Sequence, residues 1–333
     1  MEFKKDAKYD IACYGNGLID LITHVSIEDL KVLGLEKGSY TPTDAEFINK
    51  IMESLKNNSW QKMLGGSALN TLRVSAKLGL KNYFVCKIGE DDYGKFLTKV
   101  LDEHKITQDC AISPSLSTGI LISLVTPDTE RTMISNLGAA RDLNIKDIKS
   151  MEPVENTKIY HTTAYKLMDE PTEKLTLEAI RIAKDSGVKI SFDPADVGVI
   201  KHINEKINIV IKESDIVFLN EEEATALAGG IEEAFKKLSA HTELIIIKTG
   251  KEGCIIYEKS TDKKIVVKGF VVDAIDTTGA GDSFAGGFLY GLIKGLPLET
   301  CGKIGNYIAS KIVQNLGVGL TDENLNEIKE FIG

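Results

Sequence analysis

From residue 157 onward, short apolar runs alternate with amphipathic stretches in a regular order. Lys158–Thr163, Val188–Asp193, Ile216–Leu219 and Glu243–Lys248 are rich in β-branched and aromatic residues and are bounded by polar or glycine positions. Between and after them, stretches near Pro171–Ser186 and Asn204–Lys212, then Glu221–Ala228 and Ile231–Ala240, carry apolar residues at helical spacing. This alternation predicts an α/β fold: a doubly wound, mainly parallel sheet with helices on both faces. Upstream, Tyr9–Tyr14 reads as a first, central strand ending on Gly15-Asn16-Gly17. Asn82–Lys87 reads as a further strand, followed by a helix to about Glu103. Residues 21–60 have a mixed pattern, with a helix at Asp44–Lys56 behind the turn Thr41-Pro42-Thr43. One segment breaks the alternation. Thr118–Thr126 and Arg131–Ile134, joined by Pro127-Asp128-Thr129-Glu130, carry a hairpin signature and predict a separate small sheet.

Length and composition narrow the class. The 333 residues suffice for one large α/β domain, and 43% hydrophobic with 27% charged residues is ordinary for a soluble protein. A net charge of −9 argues against a nucleic-acid partner, because phosphate backbones are held by clustered Lys and Arg. No apolar stretch approaches the roughly 20 residues that span a bilayer, and the charged start Met1–Asp6 lacks a signal core. Cys13, Cys86, Cys110, Cys254 and Cys301 are odd in number and far apart in sequence, with no metal-binding spacing. They read as buried thiols of a reducing compartment, so a cytoplasmic location is expected.

Candidate chemistry gathers at the ends of predicted strands, where ligands bind in open α/β sheets. The run Lys264–Val272 reads as a strand, and Asp276-Thr277-Thr278-Gly279-Ala280-Gly281-Asp282-Ser283-Phe284 leads from it into an apolar helix. A helix start offers unpaired N–H groups and the positive dipole end to an anion, and Gly279 and Gly281 let that anion come close. Asp282 beside it has the chemistry of a general base. Alone, such a glycine turn is more often only a turn with a capping Asp. A second glycine-rich turn, Gly65-Gly66-Ser67, opens a helix with Ser67 as N-cap and Gly79 as its stop, and Asn70 lies on the first turn. Gly15-x-Gly17 resembles a dinucleotide fingerprint, but Asp20 would repel a pyrophosphate and suits a hydroxyl-rich ligand better. Taken alone, Asp20 reads equally well as a turn residue. Asn220 and Glu223 follow Ile216–Leu219. Thr249, Gly250 and Gly253 form a strand–turn–strand whose glycines fit a flat ligand.

Together these residues resemble the ribokinase/PfkB family of carbohydrate and nucleoside kinases. Asp276–Phe284 is similar to the family's C-terminal signature, Gly65–Asn70 to its N-terminal signature, and Asn220-Glu221-Glu222-Glu223 to its N-x-x-E element. The match runs in the correct order over almost the whole chain. It implies one ribokinase-like domain, 1–333, with a small β-sheet lid from inserted segments roughly 18–45 and 115–137. It also implies ATP and Mg2+ as cofactors. Asp282 would be the base, and Gly279, Ala280 and Gly281 the anion hole. Asn220 and Glu223 would organise Mg2+ and phosphates through water, with Thr249, Gly250, Gly253 and Asn306 at the nucleotide. Asp276 lies where some relatives bind a monovalent cation such as K+, and that point stays open.

The acceptor is the harder question. Asn16 and Asp20, four apart, resemble the ribose-holding pair of adenosine kinases, and Arg131–Ala139 resembles their lid segment. On that likeness Arg131 would meet the transferring phosphate and Met133 would cover the substrate. Tyr165 would stack on a base, or else be a solvent-edge tyrosine. The resemblance therefore implies a kinase acting on the 5′-hydroxyl of a nucleoside, with adenosine first. A sugar kinase for ribose, fructose or a related sugar is the alternative. A catalytically silent binding protein is disfavoured by the intact Gly279-Ala280-Gly281-Asp282. The apolar face Ile120, Ile122 and Leu124 would either pair with a second subunit or cap the site within one chain, leaving monomer and homodimer both open.

Overall fold

The computed structural model describes residues 1–315 and 317–332, the side chains of 331 and 332 excepted. Among the described residues, fourteen strands form two sheets: β1 Tyr9–Tyr14, β2 Leu18–His24, β3 Tyr40–Pro42, β4 Gln61–Gly65, β5 Asn82–Gly89, β6 Thr107–Ser113, β7 Gly119–Val125, β8 Arg131–Asn136, β9 Thr157–Thr163, β10 Lys189–Asp193, β11 Ile216–Asn220, β12 Leu244–Lys248, β13 Gly253–Glu258 and β14 Lys263–Lys268. The nine-stranded sheet runs β14-β13-β12-β11-β10-β9-β1-β5-β6, parallel except for β13 and β14, which add an antiparallel edge. The five-stranded sheet runs β3-β8-β7-β2-β4. The fold is the expected ribokinase-like one, a doubly wound parallel sheet with a small β-sheet lid.

The central strands are apolar on both sides because both sides are covered. Along β11, Phe218 joins the core on one face, while Val217 and Leu219 join the core on the other. That is the period-2 alternation of a strand buried twice. On the first face lies the helix Ala280–Ile293, whose Phe284 and Phe288 meet Phe218 edge-on. Its glycines admit neighbours: a Cβ at Gly286 would stand 2.6 Å from the Thr71 carbonyl, and one at Gly287 2.5 Å from Ile308 Cδ1. Helices Glu170–Asp185 and Asn204–Glu213 bury Leu175, Ala179, Ile207 and Val210 in the core of the second face.

The small sheet departs from the sequence expectations in two ways. First, besides β2 and β3 of the expected segment 18–45 and the hairpin β7–β8, it takes in β4 at Gln61–Gly65, outside both expected segments. Second, Ile120, Ile122 and Leu124 are buried among the chain's own Leu30, Leu33, Ile48 and Ile51, from helices Ile27–Leu33 and Ala45–Ser54. That apolar face is spent within the chain and offers no dimer surface. The opposite face, with Asp20, Met63, Ser123, Arg131 and Met133, turns toward the main sheet. Two further expectations change. The strand after Lys263 ends at Lys268, short of Val272. Cys86 and Cys110, far apart in sequence, are cross-strand neighbours on β5 and β6, with sulfurs 3.3 Å apart. Among the described residues no helix is long and apolar enough to cross a membrane.

Candidate functional site

The parallel strands deliver their polar ends to one place, over which the small sheet leans. Helix Ala280–Ile293 begins there with Gly279 as its cap, at φ 72°. Glycine is needed twice over at 279: the left-handed backbone disfavours a side chain, and a Cβ would lie 2.1 Å from Val318 Cγ2. Of the expected anion-hole donors, the Ala280 N–H already donates to the Thr277 carbonyl at 3.2 Å. The next N–H groups of the first turn have no i−4 partner within the helix.

Asp282, on that first turn, is held through both carboxylate oxygens. Its Oδ1 accepts from Ser67 Oγ at 2.6 Å and its Oδ2 from Asn70 Nδ2 at 3.1 Å. Ser67 is therefore not the N-cap. Gly66 caps helix Ser67–Lys77, and the Ser67 hydroxyl is spent on Asp282. Burial pushes the Asp282 carboxyl up to about 6, against the opposing pull of the Ser67 and Asn70 hydrogen bonds. A carboxyl poised there can be ionised at neutral pH and still take a proton.

The acceptor side is built around β1, β2 and β4. Gly15-Asn16-Gly17 runs from β1 into β2, a strand of the other sheet, and opens no helix, so the dinucleotide reading fails on topology as well as on charge. Gly65 and Gly66 make room for these residues. A Cβ at 65 would meet Asp20 Oδ1 at 1.9 Å, and one at 66 would meet the Asn16 carbonyl at 2.1 Å. Asp20 Oδ1 is buried and has no hydrogen-bond partner, and burial pushes this carboxyl up to about 7. An acceptor atom left in that state calls for a donor from a ligand. Met133 and Arg131 stand two apart on the cleft face of β8. Arg131 reaches across to the main domain, 2.6 Å from Asp276 Oδ2 as an ion pair and 3.0 Å from Thr278 Oγ1. Asp276 also accepts from the N–H groups of Thr278 and Gly317, so protein donors surround it. Tyr165 follows β9 in a short turn and is 37% exposed at the cleft margin.

The nucleotide-side residues lie at the ends of β11 and β12. Asn220 and Glu223 form a reciprocal cap. Glu223 Oε2 accepts from the Asn220 N–H at 2.7 Å, and Asn220 Oδ1 accepts from the Glu223 N–H at 2.8 Å. Burial raises the Glu223 carboxyl to about 7. Thr249 and Gly250 lead a tight turn from β12 into β13, with φ 57° at Gly250. Gly253 has a nearer reason to be glycine than a ligand: a Cβ there would lie 2.0 Å from the Val267 carbonyl of β14. Asn306 is buried with its amide donating to the carbonyls of Val267 and Lys268, both at 3.2 Å, which anchors helix Leu298–Ile312 to β14.

Four charged residues at the site escape the sequence reading. Lys248 closes β12, pairs with Asp193 at 3.0 Å, and would stand 3.0 Å from a Cβ at Gly281. Burial opposes its charge, but Asp193 and Glu223 outweigh it and the pKa rises. Arg73 is buried, donating to the carbonyls of Leu64 and Val318. Lys166 is fully buried beneath Asn16. For Lys248 and Asp193 a signal existed, since each is the first charged residue after an apolar strand at its C-terminal end.

Phosphate-sized anions suit such a helix start, beside which lie the cations Lys248 and Arg131, each paired with an aspartate, and Glu223 is a carboxylate able to share a Mg2+ through water. A proton acceptor beside an anion cradle suits phosphoryl transfer to a hydroxyl, and the chain is a phosphotransferase with an alcohol group as acceptor. Residues 39–325 match the pfkB family carbohydrate kinase domain, and the chain belongs to that family. It is 29% identical to a probable fructokinase-5 of Arabidopsis thaliana, over 76% of this chain and 81% of the relative. It is 27% identical to a 5-dehydro-2-deoxygluconokinase of Bacillus licheniformis, over 99% of this chain and 98% of the relative. The crystal structure of adenosine kinase from Sinorhizobium meliloti superposes with a TM-score of 0.87 at 26% identity, covering 97% of this chain and 99% of that one.

Proposed function

We propose that the chain is an ATP- and Mg2+-dependent kinase for the 5′-hydroxyl of a nucleoside, adenosine first, yielding AMP and ADP. The observation that carries the reaction is Asp282, held between Ser67 and Asn70 at the anion-binding start of helix Ala280–Ile293. Bound ATP with its Mg2+ supplies the phosphoryl group and part of the charge neutralisation. Asp282 takes the proton of the acceptor hydroxyl, while Ser67 and Asn70 keep its oxygens aimed. First-turn N–H groups, Lys248 and Arg131 face the region where negative charge develops. Asp20 receives a substrate hydroxyl with its unpartnered Oδ1, Asn16 contacts a neighbouring one, and Met133 and Tyr165 border the base. Asn220, Glu223, Thr249 and Gly250 border the phosphates and nucleotide. The nucleoside reading is supported by the Asn16–Asp20 pair, by Tyr165 at the cleft margin and by the likeness to the Sinorhizobium meliloti structure.

A sugar or sugar-acid acceptor is the second reading, favoured by the sequence relatives. ADP release from purified protein with adenosine, inosine, ribose, fructose and 5-dehydro-2-deoxygluconate separates the readings. Turnover only with non-nucleosides would sink the first. Asp282→Asn should bind the accepted substrate near normally and lower kcat by about 10²–10⁴. Retention of most turnover would remove Asp282 as the base.

A further inference from the structure

Beneath the acceptor cleft lies a cation for which phosphoryl transfer has no evident use. Lys166 follows β9 in the turn Ala164–Leu167 and is 1% exposed. Its ammonium donates to Asn16 Oδ1 at 2.8 Å and to the Ala140 carbonyl at 3.2 Å. A buried ammonium costs several kcal/mol in lost hydration, and a methionine would fill the same space without that cost. Burial pulls its pKa down only to about 8, so it stays mostly protonated at neutral pH. A buried charge in a cleft floor, held by a residue of the cleft, is a candidate for a functional role.

The chemistry of the contact is one-sided. An ammonium has three donors and no acceptor, so the Asn16 atom facing it must be the amide oxygen. The amide NH2 is then fixed on the opposite side, and both Asn16 neighbours are confined. A Cβ at Gly15 would stand 2.8 Å from Phe84, and one at Gly17 2.9 Å from Cys86 Sγ. Resting on the acceptor role of Asn16, we propose that Lys166 is a positioning residue that locks the Asn16 amide with Nδ2 toward the acceptor. Asn16 then donates to a substrate hydroxyl oxygen, while Asp20, whose Oδ1 lacks a partner, accepts from a hydroxyl. One fixed donor beside one fixed acceptor selects a substrate carrying two hydroxyls and disfavours its deoxy analogue. Without Lys166 the amide can turn over and the selection weakens.

Kinetics with the accepted substrate and its analogues test this, using adenosine with 2′- and 3′-deoxyadenosine, or ribose with 2-deoxyribose. Lys166→Met should raise KM by about 10–100-fold with kcat within about threefold, and narrow the preference for the dihydroxy substrate about tenfold. An unchanged KM and preference in folded Lys166→Met, or a loss confined to kcat, overturns the proposal. If Lys166→Met does not fold, Asn16→Asp decides: its carboxylate keeps the partner of Lys166 but cannot donate, so KM should rise at least as far. A KM unchanged in Asn16→Asp overturns the proposal too. A ligand-free measurement keeps this separate from the choice of acceptor. In asparagine-labelled protein the Asn16 side-chain amide, assigned by its absence from Asn16→Asp, should exchange slowly with water. In Lys166→Met it should shift and exchange faster. The same amide signal in both proteins would refute the lock whatever the enzyme phosphorylates.

Discussion

At the scale of single residues, the state of Asp282 is set by two opposed influences that can be altered separately. Burial favours the neutral acid, and the Ser67 and Asn70 donors favour the carboxylate, leaving the group at about 6. A base works when ionised, so kcat/KM of the free enzyme should fall as pH drops through about 6. Ser67→Ala removes a donor to the charged form and leaves burial in place. The sign follows: the carboxylate loses support, the pKa rises, and the acid limb should move to higher pH by roughly half to one unit. A pH–rate profile of both proteins measures it. A limb that stays put or moves to lower pH would show that the limb reports another group, such as Asp20 or Glu223, both raised to about 7.

At the scale of elements, the start of helix Ala280–Ile293 trades helix propensity for access. Gly281 does not have a positive φ, so alanine is sterically allowed by the backbone, and in a helix it is favoured over glycine by about 1 kcal/mol. Its Cβ, however, would press on Lys248 Nζ at 3.0 Å. Gly281→Ala is therefore expected to hold or raise the melting temperature while lowering kcat about tenfold or more. Equal losses of stability and turnover would contradict it. Glycines of this kind were legible from sequence, as was the helix Glu221–Ala228, because turn and helix signals are local. The central strands were legible because burial on both faces leaves an uninterrupted apolar run. β4 and β6 were not: each lies at a sheet edge, pairs on one side only, and shows polar positions that are exposed, such as Gln61 and Lys62, or half-exposed, such as Gln108. Lys166 was illegible for another reason. Its partner Asn16 is 150 positions away, and only the parallel pairing of β1 with β9 brings the two together.

At the scale of the whole molecule, the small sheet is tied to the main domain by charge as well as by packing. Met63 of β4 lies where a Cβ on Gly317 would be, 2.1 Å from its sulfur, and Arg131 of β8 pairs with Asp276. Both members of that pair are shielded, with side chains 13% and 2% exposed. Removing one partner from a buried pair strands the other charge, typically at about 3–5 kcal/mol, whereas removing both is far milder. Arg131→Met should therefore be strongly destabilised, although two backbone N–H groups still reach the Asp276 carboxylate. Arg131→Met with Asp276→Asn should recover most of that loss, giving a coupling of about 2 kcal/mol or more in denaturant unfolding. Turnover should behave differently. If Arg131 also meets the transferring phosphoryl group, the double variant regains stability while its kcat stays at least tenfold below that of the unmodified protein. Additive stability losses would show that the two side chains are neighbours without mutual dependence. Recovery of kcat along with stability would restrict Arg131 to holding the lid.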